Sequence, residues 1–414
     1  MRAHGCSKTD RLSPTFANIS TGRREPVKKI YLDYAATCPV DPEVLSAMIP
    51  CFCDLFGNPS SFHSYGQDAK KALENARHTV ACSIGASPDE VVFTSGGTES
   101  DNFAIKGVAY RNRSRGNHII TSSIEHHAVL NPCRFLQQEG FDVTVLPVDS
   151  TGTVDPDDVR KAITPKTVLI SVMHANNEIG TIEPIAVIGT IAREHEVLFH
   201  TDAVQTYGHL PINVEELHTD LLSASAHKLY GPKGVGFLYV KKGTKIASFM
   251  HGGEQEQGRR GSTHNLPGIV GLGKASEIAG WLMKEEDERL KHYRDMLIRG
   301  IEERIPRTRL NGHPVQRLPN NVNIAVSEVE GESMMLELDM GGIICSTGSA
   351  CSSMSLESSH VLISLGLSHE LAHGSLRFSL GRYTKEEDIE RLLELFPAIV
   401  RRLRALSPLC GTGR

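Results

Sequence analysis

The sequence predicts an α/β fold, with a mostly parallel but mixed seven-stranded sheet in a large unit and a smaller α+β unit after it. From about residue 70 to 240, short β-rich runs alternate with longer helical patterns, which is typical of a parallel sheet covered by helices on both faces. The pattern changes after Asn265-Leu266-Pro267, where a long helical stretch begins. At 414 residues the chain also exceeds the usual size of one domain.

The predicted strands of the large unit are, in chain order, 90–94, 119–122, 143–146, 167–172, 197–200, 221–224 and 236–240. Helical patterns at 99–111, 128–138 and 185–194 separate several of them. The last two strands are too close in sequence for a helical crossover, so we expect the last one to run antiparallel. Ligands of such a sheet bind at the carboxyl ends of its strands.

The small unit is predicted to contain a long helix to about residue 304, a strand at 322–326, a helix at 332–339, a strand at 375–379 and a helix at 385–406. We therefore expect a mobile extension at 1–28, a large domain at 29–265 and a small domain at 266–414. Residues of about 29–45 are also able to pack with the small domain.

Composition excludes several classes of function. The net charge of −5 shows no excess of positive charge of the kind that binds nucleic acid, and no apolar run is long enough to span a membrane. The nine cysteines have no repeated spacing and no metal-ligand pattern, so we expect no metal site and a reducing compartment. A cytoplasmic location follows, with organelle targeting through residues 1–28 as the alternative.

Lys228 follows a predicted strand and precedes a glycine-rich turn. A lysine held and partly desolvated in such a place has a lowered pKa, and its neutral amine can form a Schiff base with an aldehyde. Taken alone, it is more often a solvated loop lysine.

Residues 93–102 form a strand end, two glycines and a helix start, which suit phosphate binding by Gly97 and Thr98. Thr98 is expected to cap the helix, with Asp101 completing a pair of the capping-box kind. A plain helix cap after a tight turn is the equal alternative.

Asp202 ends another β-rich run, where its carboxylate can hold the protonated pyridine nitrogen of pyridoxal phosphate. A helix N-cap is the simpler interpretation, but Lys228 at the end of the next strand favours the cofactor. His126, Asn177 and Gln205 also follow strands, and could stack on the cofactor ring or bond its phenolic oxygen.

Two residues of the small unit suit a substrate. Cys351 lies in a run of small residues that could carry a reactive thiol, although a buried cysteine acting as a small hydrophobe is the usual case, and we assign that to Cys345. Arg377 lies on an alternating strand, where a substrate carboxylate or a structural salt bridge would satisfy it.

Over about residues 29–408, the chain resembles the cysteine desulfurases of the class V aminotransferase group, and within them the Nif/Isc-type branch. Beside the phosphate-loop and lysine motifs, the matching segments are Tyr31-Leu32-Asp33-Tyr34-Ala35-Ala36-Thr37, Phe56-Gly57-Asn58-Pro59-Ser60-Ser61, Gly348-Ser349-Ala350-Cys351, Leu371-Ala372-His373, Arg377-Phe378-Ser379-Leu380-Gly381-Arg382 and Leu406-Ser407-Pro408-Leu409. The resemblance implies the large-domain, small-domain architecture of fold type I pyridoxal phosphate enzymes.

The resemblance also implies a role for each site residue. Lys228 would carry the cofactor, Asp202 would pair with its ring nitrogen, Asn177 and Gln205 would support its phenolic side, and His126 would stack on the ring and help move protons. The phosphate would be held by Gly97, Thr98, Ser225 and His227, with Thr263 reaching it from the second subunit of a homodimer. Arg377 and Asn177 would bind the substrate carboxylate, and Cys351 would be the nucleophile.

The implied reaction converts L-cysteine to L-alanine and leaves the sulfur on Cys351 as a persulfide for an acceptor protein, such as an iron–sulfur scaffold. A selenocysteine lyase shares the scaffold, and a cofactor-binding protein that docks sulfur-assembly partners is an alternative of another class. The chain departs from the common pattern at Cys38, Glu254 and Gln257.

Overall fold

A computed structural model describes residues 29–347 and 358–406. A seven-stranded sheet forms its centre, in the order β2-β8-β7-β6-β5-β3-β4. The strands are β2 (Val91–Thr94), β3 (His118–Ser122), β4 (Asp142–Leu146), β5 (Thr167–Ser171), β6 (Leu198–Asp202), β7 (Leu221–Ser225) and β8 (Gly236–Val240).

The mixed sheet predicted from the sequence is confirmed. Strand β8 pairs antiparallel with both β7 and β2, whereas the other pairs are parallel. Two antiparallel pairings in succession make β2 parallel to β7, so the carboxyl ends of all strands except β8 lie at the same edge. Each predicted strand is present, and β6 runs two residues beyond its predicted end to include Asp202.

Helices cover both faces of this sheet. They are α1 (Pro42–Met48), α2 (Pro50–Cys53), α3 (Ser64–Ser83), α4 (Gly97–Asn112), α5 (His127–Gln138), α6 (Pro156–Ala162) and α7 (Ile185–Glu194). Strand β2 illustrates the two faces, because successive side chains of a strand point to opposite sides. Val91 and Phe93 enter a core with α3, whereas Val92 packs with Phe103 of α4 in another.

The large sheet is followed in the chain by the 39-residue helix α8 (Leu266–Arg304). A three-stranded antiparallel sheet follows in the order β12-β10-β9, formed by β9 (Thr308–Asn311), β10 (Asn321–Val326) and β12 (Ser375–Ser379). The helices of the small unit are α9 (Gly331–Met340), α10 (His360–Ser364), α11 (His369–His373) and α12 (Glu386–Leu406). Strand β9 was not predicted, and Asn311 is its one buried residue.

The amino-terminal end of the described chain joins the small unit. Strand β1 (Ile30–Tyr31) pairs in parallel with β11 (Ile343–Ile344), and Ile30 and Leu32 belong to the small unit's core. Helix α8 contributes Leu272 to the large core and Leu297 to the small one, so it joins the two cores. The domain division at residue 265 stays a prediction.

Within the described ranges, no helix is long and apolar enough to cross a membrane. The same residues contain no cluster of three or more side chains that could hold a metal ion.

Candidate active site

A cavity of about 420 Å³ lies at the carboxyl ends of the central strands. The residues after β2, β3, β5, β6 and β7 all reach it, together with residues 35–36 and Arg377. Among the predicted site residues, those that line it are Gly97, Thr98, His126, Asn177, Asp202, Gln205, Ser225, His227, Lys228 and Arg377. The sheet therefore brings together side chains that are far apart in the sequence.

Lys228 ends a 3₁₀ turn (Ala226–Lys228) that directly follows β7. Its Nζ donates hydrogen bonds to the carbonyl oxygens of Ala35 at 2.6 Å and Ala36 at 2.8 Å. The backbone oxygen of Lys228 accepts a hydrogen bond from Cys38 Sγ at 3.3 Å and lies 2.9 Å from His209 Nε2. The lysine is thus held at both its main chain and its amine, and is not a solvated loop residue.

Asp202 lies at the end of β6 and is buried. Its Oδ1 accepts a hydrogen bond from the backbone N–H of Val204 at 2.8 Å. Burial raises the pKa of Asp202 to about 6, although that hydrogen bond and the charge of Lys228 oppose the rise. A cationic group placed beside this carboxylate would offset the cost of its burial.

The predicted cap of α4 is wrong. Its N-cap is Gly96, and Thr98 lies inside the first turn. Asp101 does not cap the helix either, because it is buried within the fold, with Oδ1 3.6 Å from His200 Nε2. Burial and then the charge of Asp202 raise the pKa of Asp101 well above its usual range.

The start of α4 is nevertheless suited to an anion. Within the described part of the chain, no side chain caps this helix end, and the first N–H groups of a helix lack intrahelical partners. Gly96 has a φ of 149°, and a Cβ on Gly97 would lie 2.6 Å from Val204 Cγ2. Glycine is therefore required here for the backbone to approach this wall of the cavity.

His126 forms the N-cap of α5, where its Nδ1 accepts a hydrogen bond from the N–H of Ala128 at 3.1 Å. Burial, followed by the charge of Lys228, lowers its pKa to about 4. The same two causes lower the pKa of His227 to about 4, and His227 Nδ1 lies 3.1 Å from Thr37 Oγ1. Both rings are therefore neutral at pH 7.

Arg377 lies on β12, and its guanidinium is shared between two groups. Nη2 donates to Asp33 Oδ1 at 2.8 Å, and Nη1 donates to the carbonyl oxygen of Asn177 at 3.1 Å. Its buried Nε has no hydrogen-bond partner among the described residues. A salt bridge is thus present, but it leaves part of the guanidinium unsatisfied.

The remaining predicted residues are placed as follows. Gln205 donates from Nε2 to the carbonyl oxygen of Ala35 at 3.1 Å. Thr263 is exposed and does not line the cavity of its own chain, so its role across a dimer stays a prediction. Cys351 lies outside the described residues. Cys345 is buried, as expected for a structural cysteine.

Sequence reasoning missed several polar residues of the site. Asp101, Glu125, Glu178 and His360 line the cavity, and Asp33 is paired with Arg377. Burial raises the pKa of Glu125 to about 8 and that of Glu178 to about 7. Glu125 and Glu178 are adjacent in the sequence to His126 and Asn177, and this position could have identified them as site residues. Acidic residues next to loops are so common, however, that position alone does not distinguish a site residue.

Comparison with known proteins agrees with this geometry. The family model described as aminotransferase class-V matches residues 30–392. Cysteine desulfurase IscS of Dictyoglomus turgidum is 56% identical over 381 residues, covering 92% of this chain and 97% of that protein.

Solved structures give the same result. A NifS-like protein superposes with a TM-score of 0.85 at 38% identity, over 91% of this chain and 100% of that one. A structure described as SspA in complex with cysteine gives a TM-score of 0.77 at 40% identity, over 86% and 100% of the two chains. With identity at this level over nearly its whole length, the chain belongs to the cysteine desulfurase family of the class V aminotransferases.

Proposed function

We propose that the protein is a pyridoxal phosphate-dependent cysteine desulfurase that converts L-cysteine to L-alanine and transfers the sulfur to Cys351. The observation that carries the proposal is the meeting of Lys228, Asp202, the start of α4 and Arg377 in one cavity. An amine, a ring-nitrogen partner, a phosphate site and a carboxylate site are the groups that a pyridoxal enzyme acting on an amino acid needs.

The chemistry of the described residues fits this cofactor. Gly97, Thr98, Ser225 and His227, which all line the cavity, would hold its phosphate at the uncapped start of α4. Asp202 would pair with the ring nitrogen, and Asp101, whose buried Oδ1 makes no hydrogen bond to another described residue, lines the same cavity. When bound, pyridoxal phosphate supplies an electron sink that weakens bonds next to the amino-bearing carbon of the substrate.

His126 would stack on the cofactor ring, while Asn177 and Gln205 would contact its phenolic side. Because Nδ1 of His126 accepts the Ala128 N–H, the single proton of the neutral imidazole lies on Nε2. His126 can therefore donate from Nε2 near neutral pH. The Nζ of Lys228, once displaced by the substrate amine, can take and return a proton.

The carboxylate of the substrate would bind Arg377 with help from Asn177. The thiolate of Cys351 would then attack the substrate sulfur, so that a sulfur–sulfur bond forms while the carbon–sulfur bond breaks and the released carbon takes up a proton to give alanine. The complex with cysteine described for the SspA structure, a protein 40% identical to this chain, supports cysteine as the substrate.

The direct test is to incubate the purified protein with L-cysteine and to measure alanine and the absorbance spectrum. We expect alanine formation and a near-visible absorbance from the lysine-bound cofactor. A colourless protein that cannot be reconstituted with pyridoxal phosphate would refute the cofactor assignment. Turnover of selenocysteine with negligible alanine from cysteine would instead identify a selenocysteine lyase.

A second expectation concerns the nucleophile. In Cys351→Ser the near-visible absorbance is retained, but persulfide formation falls to background, because a hydroxyl cannot accept the sulfur. Cys53→Ser is the matched control, since Cys53 is free and exposed. The check is mass spectrometry of the enzyme after one turnover, and sulfur release at the wild-type rate by Cys351→Ser would assign the nucleophile to another residue.

We further propose that the enzyme is a cytoplasmic homodimer that delivers sulfur to an acceptor protein such as an iron–sulfur scaffold, and that it has its domain boundary near residue 265. The described cysteines are all free, which agrees with a reducing compartment. The exposure of Thr263 agrees with a contact to a second subunit. A monomer by light scattering that still binds pyridoxal phosphate tightly would exclude the dimer role of Thr263.

A further inference from the structure

Asp33 is joined to the strand of Arg377 through its backbone and to Arg377 itself through its side chain. Asp33 forms a parallel bridge with Ser379, two residues beyond Arg377 on the same strand. Ser379 N–H donates to the carbonyl oxygen of Leu32 at 2.8 Å, and Ala35 N–H donates to Ser379 Oγ at 2.9 Å. These bonds fix the register, so the carboxylate of Asp33 is held at its 2.8 Å distance from Arg377 Nη2.

The ion pair is largely removed from solvent. The side chain of Arg377 is 3% exposed and that of Asp33 is 17% exposed. At this burial the attraction between the two charges is screened far less than in a surface pair. Arg377 lines the cavity whereas Asp33 does not, so Asp33 would act on a ligand through the charge that it balances.

No other described carboxylate is hydrogen-bonded to Arg377. Glu178 also lines the cavity and interacts with the charge of Arg377, but its Oε2 accepts a short hydrogen bond from Ser359 Oγ at 2.5 Å, and burial raises its pKa to about 7. Glu125, whose pKa is about 8, is neutral over most of the physiological range. Asp33 is therefore the described carboxylate that balances the charge of Arg377 by direct contact.

We infer that Asp33 is a specificity-determining residue, which balances the charge of Arg377 so that the cavity accepts amino acids with one carboxylate and disfavours those with a second anionic group. The inference deepens the proposed function and rests on it. A substrate carboxylate would share the guanidinium with Asp33 and use donors that Asp33 leaves open. A second carboxylate would meet no unbalanced positive charge and would be repelled by Asp33.

The test compares L-aspartate with L-asparagine, which have nearly the same shape and differ by one negative charge. Their dissociation constants are measured from the spectral change of the holoenzyme on titration, for the wild type and for Asp33→Asn. In Asp33→Asn, the amide oxygen of the new side chain can still accept a hydrogen bond from Arg377. The variant therefore removes the negative charge at position 33 and keeps a hydrogen-bond acceptor there. We expect the wild type to bind L-asparagine more tightly, and the aspartate-to-asparagine ratio of dissociation constants to fall by roughly 10-fold in Asp33→Asn.

Asp33→Ser is expected to lower the ratio of dissociation constants in the same way, and it replaces Asp33→Asn in the test if that variant does not fold. Asp142→Asn is the control, because Asp142 is an exposed carboxylate at the start of β4, at the opposite edge of the sheet. A ratio that changes less than about twofold in a folded neutral variant would overturn the inference, and would assign Asp33 a purely structural role. Binding is measured without turnover. A wild type that forms no alanine would therefore refute the desulfurase proposal, while the ratio of the dissociation constants for L-aspartate and L-asparagine could still be measured.

Discussion

Lys228→Ala is expected to lower alanine formation from L-cysteine by at least about 10⁴-fold and to remove the near-visible absorbance of the holoenzyme. Losses of this size are typical when a covalent catalytic group is deleted. The structure supplies the reason, because Lys228 lines the cavity and its Nζ donates hydrogen bonds to the carbonyl oxygens of Ala35 and Ala36. The measurements are an alanine assay and an absorbance spectrum after incubation with pyridoxal phosphate.

Two variants make this experiment specific. Lys233→Ala removes an exposed lysine from the glycine-rich turn and should leave both rate and spectrum within about twofold of wild type. Lys228→Arg keeps a positive charge but cannot form a Schiff base at neutral pH, so it should behave like Lys228→Ala. Normal absorbance in Lys228→Arg would mean that the residue contributes charge only.

Glu256→Gln is expected to destabilise the fold by about 3–5 kcal/mol, because it removes the buried charge partner of Arg77 and leaves only the half-exposed Glu74 beside that guanidinium. Glu256 is 5% exposed, and its carboxylate accepts two hydrogen bonds from Arg77 at 2.8 Å each and one from Phe93 N–H at 3.0 Å. His264 Nε2 lies 2.8 Å from Oε1. The backbone at Glu256 has a φ of 49°, so this turn is held in a left-handed conformation by those contacts.

The matched control is Glu254→Gln, two residues earlier in the same turn. Glu254 is exposed, so its replacement should change the free energy of unfolding by less than about 0.5 kcal/mol. The measurement is equilibrium denaturation of both variants and the wild type. Equal midpoints for Glu256→Gln and Glu254→Gln would show that the buried network contributes no stability.

The effect of Glu256 also has a pH dependence. Burial alone would raise its pKa, but hydrogen bonds from Arg77 and His264 outweigh burial and lower it from 4.5 to about 2. A carboxyl with a lowered pKa in the folded state stabilises the fold above its unfolded pKa, and this contribution is lost as pH falls toward the folded value. The difference between wild type and Glu256→Gln should therefore shrink by roughly 3 kcal/mol from pH 5 to pH 2.

The sequence was sufficient for the sheet and for most of the cavity. Buried runs rich in β-branched residues mark a strand wherever they occur, and the strand ends then place Asp202 and Lys228 at one edge. Contacts between distant segments could not be predicted in this way. Asp33 and Arg377 are separated by 344 residues, and their pairing depends on β1, a strand of only two residues.

The error at the start of α4 has a different cause. Threonine and aspartate three residues apart fit a capping pattern, but the strand runs directly into Gly96, whose positive φ starts the helix early. Asp101 is then rotated into the protein, towards His200 and the neighbourhood of Asp202. The local sequence preference of Thr98 and Asp101 predicted a helix cap, but tertiary packing determines where Asp101 lies.

Helix α8 has a mechanical consequence for the whole molecule. Its 39 residues make a rod of about 58 Å with no proline beyond its first turn, and its two halves are embedded in different cores. Rotation of one core against the other would have to bend this rod or break its hydrogen bonds. The two halves of the enzyme are thus joined by a stiff helix that restricts their rotation relative to each other.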